Sequence, residues 1–286
     1  MRSLSYTGQR TPIHELDPRI KLLWFASVSF VVVAWDDPLF QLVLLGYVLV
    51  FARLAGITPG VVLKAVAPAI PLLLILFIVN FFLYKVPWTP TFLGYLIPKF
   101  GKFGPYIPVY LDVLVFSLGT ILRFVTILSS AMLLMMVTAP TEVALGLVKL
   151  GLPPEIGMAV SIAVGYVPVL FNQILGILQA QASRAWRVAT NNPVKRLIAY
   201  IPVFIPTFFR SMNSSEHLAA AMMSRGFGYD IANRTYLHEL KIRRNDQLAA
   251  AVFLSFMAIG LVLGFSGKAR YIITVTIIKN LLGLGG

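Results

Sequence analysis

Long apolar runs alternate along the chain with short breaks that contain polar, proline or glycine residues. The runs cover residues 20–35, 39–51, 65–83, 111–137 and 248–265. Because a helix needs about 20 apolar residues to cross the bilayer core, the last three runs suit such a helix, whereas the first two are short. This pattern predicts an all-α polytopic membrane protein with about five transmembrane helices, in a range of four to seven, plus a helical cytoplasmic domain.

The first run begins with the signals of a helix N-terminus on the cytoplasmic side of the membrane. Asp17 followed by Pro18 is a good N-cap and first-turn pair. Asp36 and Asp37 close the run and belong on the opposite side. Cytoplasmic segments of membrane proteins are rich in lysine and arginine. Four cations lie on the N-terminal side, which we therefore place in the cytoplasm: Arg2, Arg10, Arg19 and Lys21.

One arginine lies inside an apolar run. Arg123 is well within residues 111–137, where a charge is costly and should face the protein interior and find a partner. Asp112 is too far away to be that partner on the same helix. We expect Arg123 to form a structural pair with another helix in preference to a transport role. The aromatic-rich residues 84–110, which precede this run, predict an external loop.

A basic segment separates the last run from the others. Residues 138–246 contain eleven lysines and arginines against six acidic residues. A helix that starts at Pro140 should stop at Gly151, and a second helical pattern covers residues 156–187. Residues 197–209 are apolar but too short for a comfortable span.

The sequence therefore divides into three predicted parts. Residues 1–137 form an N-terminal transmembrane part of about four helices, and residues 138–246 form a cytoplasmic domain. Residues 247–286 form a C-terminal transmembrane helix and a tail. The tail contains another apolar run, interrupted by Lys279. Its pattern leaves open whether it crosses the membrane, lies on the surface or packs sideways.

Residues 218–228 read LAAAMMSRGFG and predict a helix that ends with a glycine cap. Gly226 can take the left-handed conformation that ends a helix, and Phe227 can provide the apolar contact that follows it. Arg225 then falls in the last helical turn, where the helix dipole favours a cation. By itself this stretch indicates only a capped helix with a C-terminal arginine.

Composition excludes several classes of function. The chain of 286 residues is 58% hydrophobic and 12% charged, and it has no cysteine. Thiol catalysis and cysteine metal sites are therefore excluded, and the three histidines lack metal-ligand spacing. The positive-inside bias of membrane proteins explains much of the net charge of +13, and acidic protein partners are a second explanation. No RNA-binding signature or zinc-finger pattern indicates nucleic-acid binding. No phosphate-binding loop, catalytic triad or paired-carboxylate site is evident either.

Two helix ends in the basic segment carry similar triplets, Ser183-Arg184-Ala185 and Ser224-Arg225-Gly226. HELDPRIKL at residues 14–22 and TAPTEVALGLVKLGLP at residues 138–153 accompany them in the same order as in a known family. With these four motifs the chain resembles the transmembrane T component of energy-coupling factor (ECF) transporters. Those transporters are ATP-driven importers of vitamins and transition-metal ions.

The resemblance implies a role for both triplets. In the family the pattern is Ala-Arg-Gly at the ends of two cytoplasmic coupling helices, which bind the ATPase subunits. Arg184 and Arg225 match the family's arginines, and Ser183 and Ser224 are small changes from alanine. Because Ala185 replaces the glycine of the first triplet, we expect that helix to continue through Arg187.

The resemblance also implies the surroundings of the protein. Its partners would be two ABC ATPase subunits, a substrate-binding S component and the lipid bilayer of a prokaryotic cell membrane, with no nucleic acid. The coupling domain and the N-terminus would lie in the cytoplasm. The chain itself would have no catalytic residue, cofactor or metal ion. Substrate recognition would belong to another subunit.

Two other functions compete with this interpretation. A conventional ABC permease would form its own substrate path and would carry one coupling motif per chain in a homodimer. An intramembrane enzyme would need clustered acids or histidines, whereas the acids here are scattered. The topology is a separate question. If residues 156–171 and 197–209 both crossed the membrane, Arg184 would lie outside and the coupling role would be lost.

Overall fold

The computed structural model describes residues 11–83, 92–95, 108–184, 198–229, 243–266 and 272–281, and it confirms the predicted all-α polytopic class. Most of the predicted external loop at 84–110 lies outside these residues. Two short strands, β1 (Phe92–Tyr95) and β2 (Pro108–Tyr110), pair antiparallel. The helices are α1 (Pro18–Ala34), α2 (Pro38–Leu54), α3 (Pro59–Val66), α4 (Ile70–Leu83), α5 (Leu111–Val137), α6 (Pro140–Lys149), α7 (Pro154–Ser183), α8 (Ile201–Ser224), α9 (Arg244–Phe265) and α10 (Ile272–Leu281).

Among the described residues, four helices are long and apolar enough to cross a membrane. They are Pro59–Leu83, Leu111–Val137, Pro154–Ser183 and Arg244–Phe265, whereas α2 is apolar but shorter. The first of these contains a 3-10 turn at Ala67–Ala69 that separates α3 from α4. Pro68 lies in this turn, at a place where proline predicts a kink.

The chain packs as two compact units. Unit one consists of residues 1–150 and 241–286, and unit two consists of residues 151–240. These boundaries follow packing and not the side of the membrane, so the predicted division at residues 137 and 246 stays a prediction.

Helix α1 is the centre of unit one. Its N-terminus forms as the sequence predicts, because the Asp17 side chain accepts a hydrogen bond of 2.9 Å from the Arg19 backbone nitrogen and Pro18 follows directly. Trp24 is almost fully buried and stacks on Phe51 of α2, with ring centroids 4.2 Å apart. The same core contains Val28, Val31, Val32, Leu44, Val48, Leu133, Met136 and Phe253.

Two glycines allow α9 to approach α1 closely. A Cβ atom added at Gly260 would lie 2.5 Å from a methyl group of Val31, and one added at Gly264 would lie 2.8 Å from the carbonyl oxygen of Ala34. The indole nitrogen of Trp35 donates a hydrogen bond of 2.8 Å to the Gly260 carbonyl oxygen. Small residues at a helix crossing permit such backbone contact in membranes.

Lys21 is buried in unit one, near the N-terminus of α1. Only 2% of the residue is exposed, and its Nζ donates to the carbonyl oxygens of His14, at 2.8 Å, and Val137, at 3.4 Å. The cation that the sequence analysis counts on the N-terminal side is therefore a buried one. We call this end of unit one the Lys21 end.

The carboxylate of Asp246 joins α9 to α1 at the Lys21 end. One of its oxygens accepts from the Asp17 backbone nitrogen at 3.1 Å, and the other accepts from the Arg243 backbone nitrogen at 2.8 Å. Just before α1, burial and the nearby charge of Lys21 lower the pKa of His14.

The opposite end of α1, which we call the Asp37 end, contains the partner of Arg123. The guanidinium Nη2 lies 2.5 Å from the Asp36 carboxylate and donates to the Trp35 carbonyl oxygen at 2.7 Å. The sequence predicts a partner on another helix, but these residues belong to the turn between α1 and α2. The ion pair is partly exposed, with 24% of the Arg123 side chain accessible.

We expect Gly264→Ala to destabilise unit one. The new methyl group would meet the backbone of Ala34, which cannot rotate away, so we expect a loss of about 1–3 kcal/mol. Thermal unfolding of the purified protein in mild detergent, followed by size-exclusion chromatography, measures this loss.

Gly46→Ala is the matched control, since Gly46 is exposed in α2 and no atom lies within 4 Å of an added Cβ. It should leave the unfolding midpoint unchanged or raise it slightly. Equal midpoints for both variants would contradict a close approach between α1 and α9.

Candidate functional site

The first candidate site is the C-terminal end of α7 in unit two. This helix of 30 residues starts with Pro154 and has Glu155 in its first turn, as helix N-termini favour. It ends at Ser183, with Arg184 as its C-cap, so the expectation that it continues through Arg187 is wrong. The Arg184 backbone nitrogen bonds back to the Gln181 carbonyl oxygen at 3.0 Å, which closes the last turn without a glycine. Ala185 lies outside the described residues.

The second candidate site is the C-terminal end of α8, where the predicted glycine cap forms. Gly226 has φ 75°, in the left-handed region that favours glycine. Its nitrogen donates to the Met223 carbonyl oxygen at 3.0 Å, and the Phe227 nitrogen donates to the Met222 carbonyl oxygen at 3.1 Å. These two bonds form a Schellman motif. The helix ends at Ser224, so Arg225 is the C-cap residue, one position beyond the predicted last turn.

The two serines bond within their own helices. The Ser183 hydroxyl donates to the Gln179 carbonyl oxygen at 3.1 Å, and the Ser224 hydroxyl donates to the Ala221 carbonyl oxygen at 2.9 Å. Such back-bonding is common for serine in helices. The arginine is therefore the charged group that each helix end presents.

Both arginines are exposed and lie where their helix dipoles favour a positive charge. Within the described part of the chain, neither guanidinium forms an ion pair with a carboxylate. Each can therefore offer its donors to another molecule. A guanidinium forms bidentate, charge-assisted hydrogen bonds with carboxylates, so acidic groups on a protein partner are suitable ligands.

The structure does not bring the two arginines together. The Gln181 side chain, near the end of α7, donates to the Pro202 carbonyl oxygen at the start of α8, at 3.2 Å. Arg225 follows at the other end of α8, which has 24 residues. At 1.5 Å per residue, α8 separates the two sites by about 35 Å. The geometry provides two separate cationic helix ends and not one composite site.

Apolar side chains on α8 remain uncovered. Phe204 and Phe208 lie four residues apart and stack with ring centroids 6.4 Å apart, and both are exposed. Phe209 is exposed as well and contacts Phe208 edge-on. Exposed aromatic patches of this kind mark contacts with protein or membrane.

Among the described residues, no group of three or more His, Asp or Glu side chains is arranged so that it could hold a metal ion. Sequence reasoning missed two buried polar residues, Lys21 and Asp246, because it read both as members of charged flanking segments. The sequence contains a usable signal, because Lys21 follows Asp17, the N-cap of α1, by four residues, which places both on one side of the helix start.

Comparison with known proteins assigns a family on the basis of most of the chain. The family model described as CbiQ, cobalt transport protein, matches residues 9–237. Three curated relatives share the name energy-coupling factor transporter transmembrane protein EcfT. The protein from Leuconostoc gelidum subsp. gasicomitatum is 30% identical, covering 86% of this chain and 91% of its own. The Acidaminococcus fermentans protein is 28% identical over 86% and 90%, and the Staphylococcus aureus protein is 26% identical over 93% and 100%.

We expect Gly226→Ala to loosen the end of α8. No atom lies within 4 Å of an added Cβ, so the effect comes from the left-handed backbone, which costs a residue with a side chain about 1–2 kcal/mol. Hydrogen exchange by mass spectrometry should show faster exchange in peptides that cover residues 222–229.

Gly176→Ala in α7 is the control, because Gly176 also has open space around it but no positive φ. It should leave the exchange of residues 222–229 unchanged. Unchanged exchange in Gly226→Ala would show that the cap does not hold the helix end.

Proposed function

Because the chain belongs to the CbiQ family, the transmembrane T components of ECF transporters, we propose that it couples ATP hydrolysis by two partner ATPase subunits to substrate uptake. A separate membrane subunit, the S component, captures the substrate, which is a vitamin or a transition-metal ion. The ATPase activity resides in the partners. The complex lies in a prokaryotic cell membrane, with the N-terminus and the coupling domain, residues 138–246, on the cytoplasmic side.

The observation that carries this proposal is the pair of exposed arginines at the ends of two packed helices in one unit. Each of Arg184 and Arg225 offers a planar fork of donors with no carboxylate partner among the described residues. A separation of about 35 Å along α8 suits contacts with two different subunits better than one shared site. Two such helix ends in one chain favour a single scaffold over a homodimeric permease.

The contact between α7 and α8 provides a route for motion. Approach of the two ATPases on binding ATP would displace each arginine-ended helix. The bond from Gln181 to the Pro202 carbonyl oxygen ties the end of α7 to the start of α8, so a shift of either helix acts on the other. The coupling helices then act as levers between the ATPases and the membrane helices.

The uncovered aromatic face of α8 supports a further contact. Phe204, Phe208 and Phe209 expose apolar surface within the helix that ends at Arg225. We assign this face to the membrane or to the S component, since the acidic ATPase surface that would bind Arg225 does not suit apolar side chains. The same helix would then contact an ATPase through Arg225 and the membrane or the S component through its aromatic face.

Reversing either arginine charge should weaken assembly. Arg184→Glu and Arg225→Glu each place an anion against carboxylates of an ATPase groove, and loss of one partner from such a desolvated pair costs about 2–5 kcal/mol. That cost corresponds to about thirtyfold weaker binding or more. Co-purification of the ATPases in mild detergent and substrate uptake by cells both measure it.

Arg210→Glu is the matched control, because Arg210 is exposed in the interior of α8. It makes the same charge change away from the helix ends and should retain assembly and uptake. Normal assembly and uptake in both Arg184→Glu and Arg225→Glu would refute the proposal. Purification of two copies of this chain without a small membrane subunit would support a conventional ABC permease instead.

Cysteine labelling tests the orientation of unit two. The chain has no cysteine, so Ser183→Cys and Ser224→Cys each provide a single reactive site. Both positions are exposed, and we expect no labelling by an impermeant thiol reagent in intact cells but full labelling in broken cells.

Ser266→Cys is the positive control, since Ser266 follows α9 at the end expected to face outward and is exposed. Labelling of position 183 in intact cells would place Arg184 outside, and the coupling role would fail.

A further inference from the structure

The carboxylate of Asp37 is fully buried in the turn between α1 and α2, yet no described cation pairs with it. Instead it connects two helix N-termini. One oxygen accepts from the Leu39 nitrogen at 3.0 Å, at the start of α2. The Thr274 nitrogen, in the first turn of α10, donates to the other oxygen at 2.9 Å, and the Thr274 hydroxyl also donates to the carboxylate.

Helices α1 and α2 are shorter than α5, so part of α5 extends beyond the turn that connects them. Helices α1 and α2 have 17 residues each, so they extend about 25 Å, which is less than the bilayer core of about 30 Å. Helix α5 has 27 residues and extends about 40 Å. The turn between α1 and α2 lies beside Gly119 of α5, because a Cβ added at Gly119 would lie 2.9 Å from the Asp36 carbonyl oxygen. From Gly119 back to Leu111, α5 projects about 12 Å past the turn.

Helix α10 packs beside this projecting part of α5. Val275 is buried in a cluster with Leu111 and Val115, and Ile278 packs against the cluster. With 10 residues, α10 extends about 15 Å, which is too short to span a membrane. Of the arrangements that the sequence leaves open for the tail, the structure shows sideways packing.

We infer that Asp37 and α10 form a clasp that completes the Asp37 end of unit one. The clasp closes when Thr274 bonds to the Asp37 carboxylate and Val275 enters the cluster with Leu111 and Val115. It covers a charge that would otherwise face lipid, because α1 and α2 are too short for the turn between them to reach the membrane surface. Two helix N-termini and a hydroxyl stabilise the carboxylate in place of a cation. This inference is independent of the proposed ATPase contacts.

Cross-linking of the full-length chain tests the clasp. The double variant Val115→Cys with Val275→Cys places two thiols in the apolar cluster, in a chain with no other cysteine. Copper phenanthroline, applied to native membranes, should form the disulfide, and a protease site inserted between the two positions reveals it on a gel. The rate of disulfide formation reports how often α10 is docked.

Three further substitutions are made in this double variant. Thr274→Val removes the hydroxyl and keeps the shape of the side chain. Asp37→Asn keeps an acceptor for the α2 cap but places an amide opposite the Thr274 donors. Each should slow disulfide formation roughly fivefold or more, because hydrogen bonds to charged groups are among the strong ones.

Asn280→Leu, on the exposed part of α10, removes a polar group, keeps a similar shape, and is the matched control, which should react at the rate of the parent pair. The clasp is supported if Thr274→Val and Asp37→Asn slow the reaction and Asn280→Leu does not, with all variants eluting as single species in detergent. Any other pattern overturns it, as does a parent pair that forms no disulfide.

Discussion

A buried lysine determines how the helices of unit one meet at one end. Lys21 donates to the carbonyl oxygens of His14 and Val137, and so joins the start of α1 to the end of α5. The carboxylates of Asp17, Asp246 and Glu142 supply the compensating charge around it. A buried ammonium group is tolerated only with such partners, so the three elements that supply them must arrive in one arrangement. Helix α6 is the element that supplies Glu142, and Gly146 lets this helix approach Pro18 closely.

The other end of α1 is held by polar contacts of a different kind. The carbonyl oxygen of Trp35 accepts from Gln41 at 2.6 Å and from Arg123 at 2.7 Å, while its indole nitrogen donates to the Gly260 carbonyl oxygen. One residue thus connects α1 to α2, α5 and α9. Between the two ends, the buried side chains of α1 are mainly apolar and permit close packing without specifying a register. The polar ends fix the register, which gives the membrane unit one defined structure.

Sequence reasoning predicts local structure here better than long-range contacts. The cap at Asp17 and the left-handed Gly226 follow from residue type and neighbours alone, so the sequence predicts both. The burial of Lys21 depends on residues far along the chain, since its Nζ donates to the Val137 carbonyl oxygen, 116 residues away, and a single sequence carries no record of that contact. The end of α7 at Ser183 is not predicted either, because without a glycine the local signals permit the helix to continue. The position of α10 depends on the mismatch between α2 and α5, which becomes visible only when the helices are assembled.

The long separation of the polar partners has a consequence for how the protein is made. Asp17 and Asp246 are 229 residues apart, and Asp37 and Thr274 are 237 apart. At about 5–20 residues per second, a ribosome needs roughly 11–47 seconds to synthesise the chain between them. During that interval the first hairpin is already in the membrane with Asp37 and the Lys21 end incompletely paired. The newly made hairpin therefore waits for donors and acceptors that only the last two helices supply, and its final arrangement is completed at the end of synthesis.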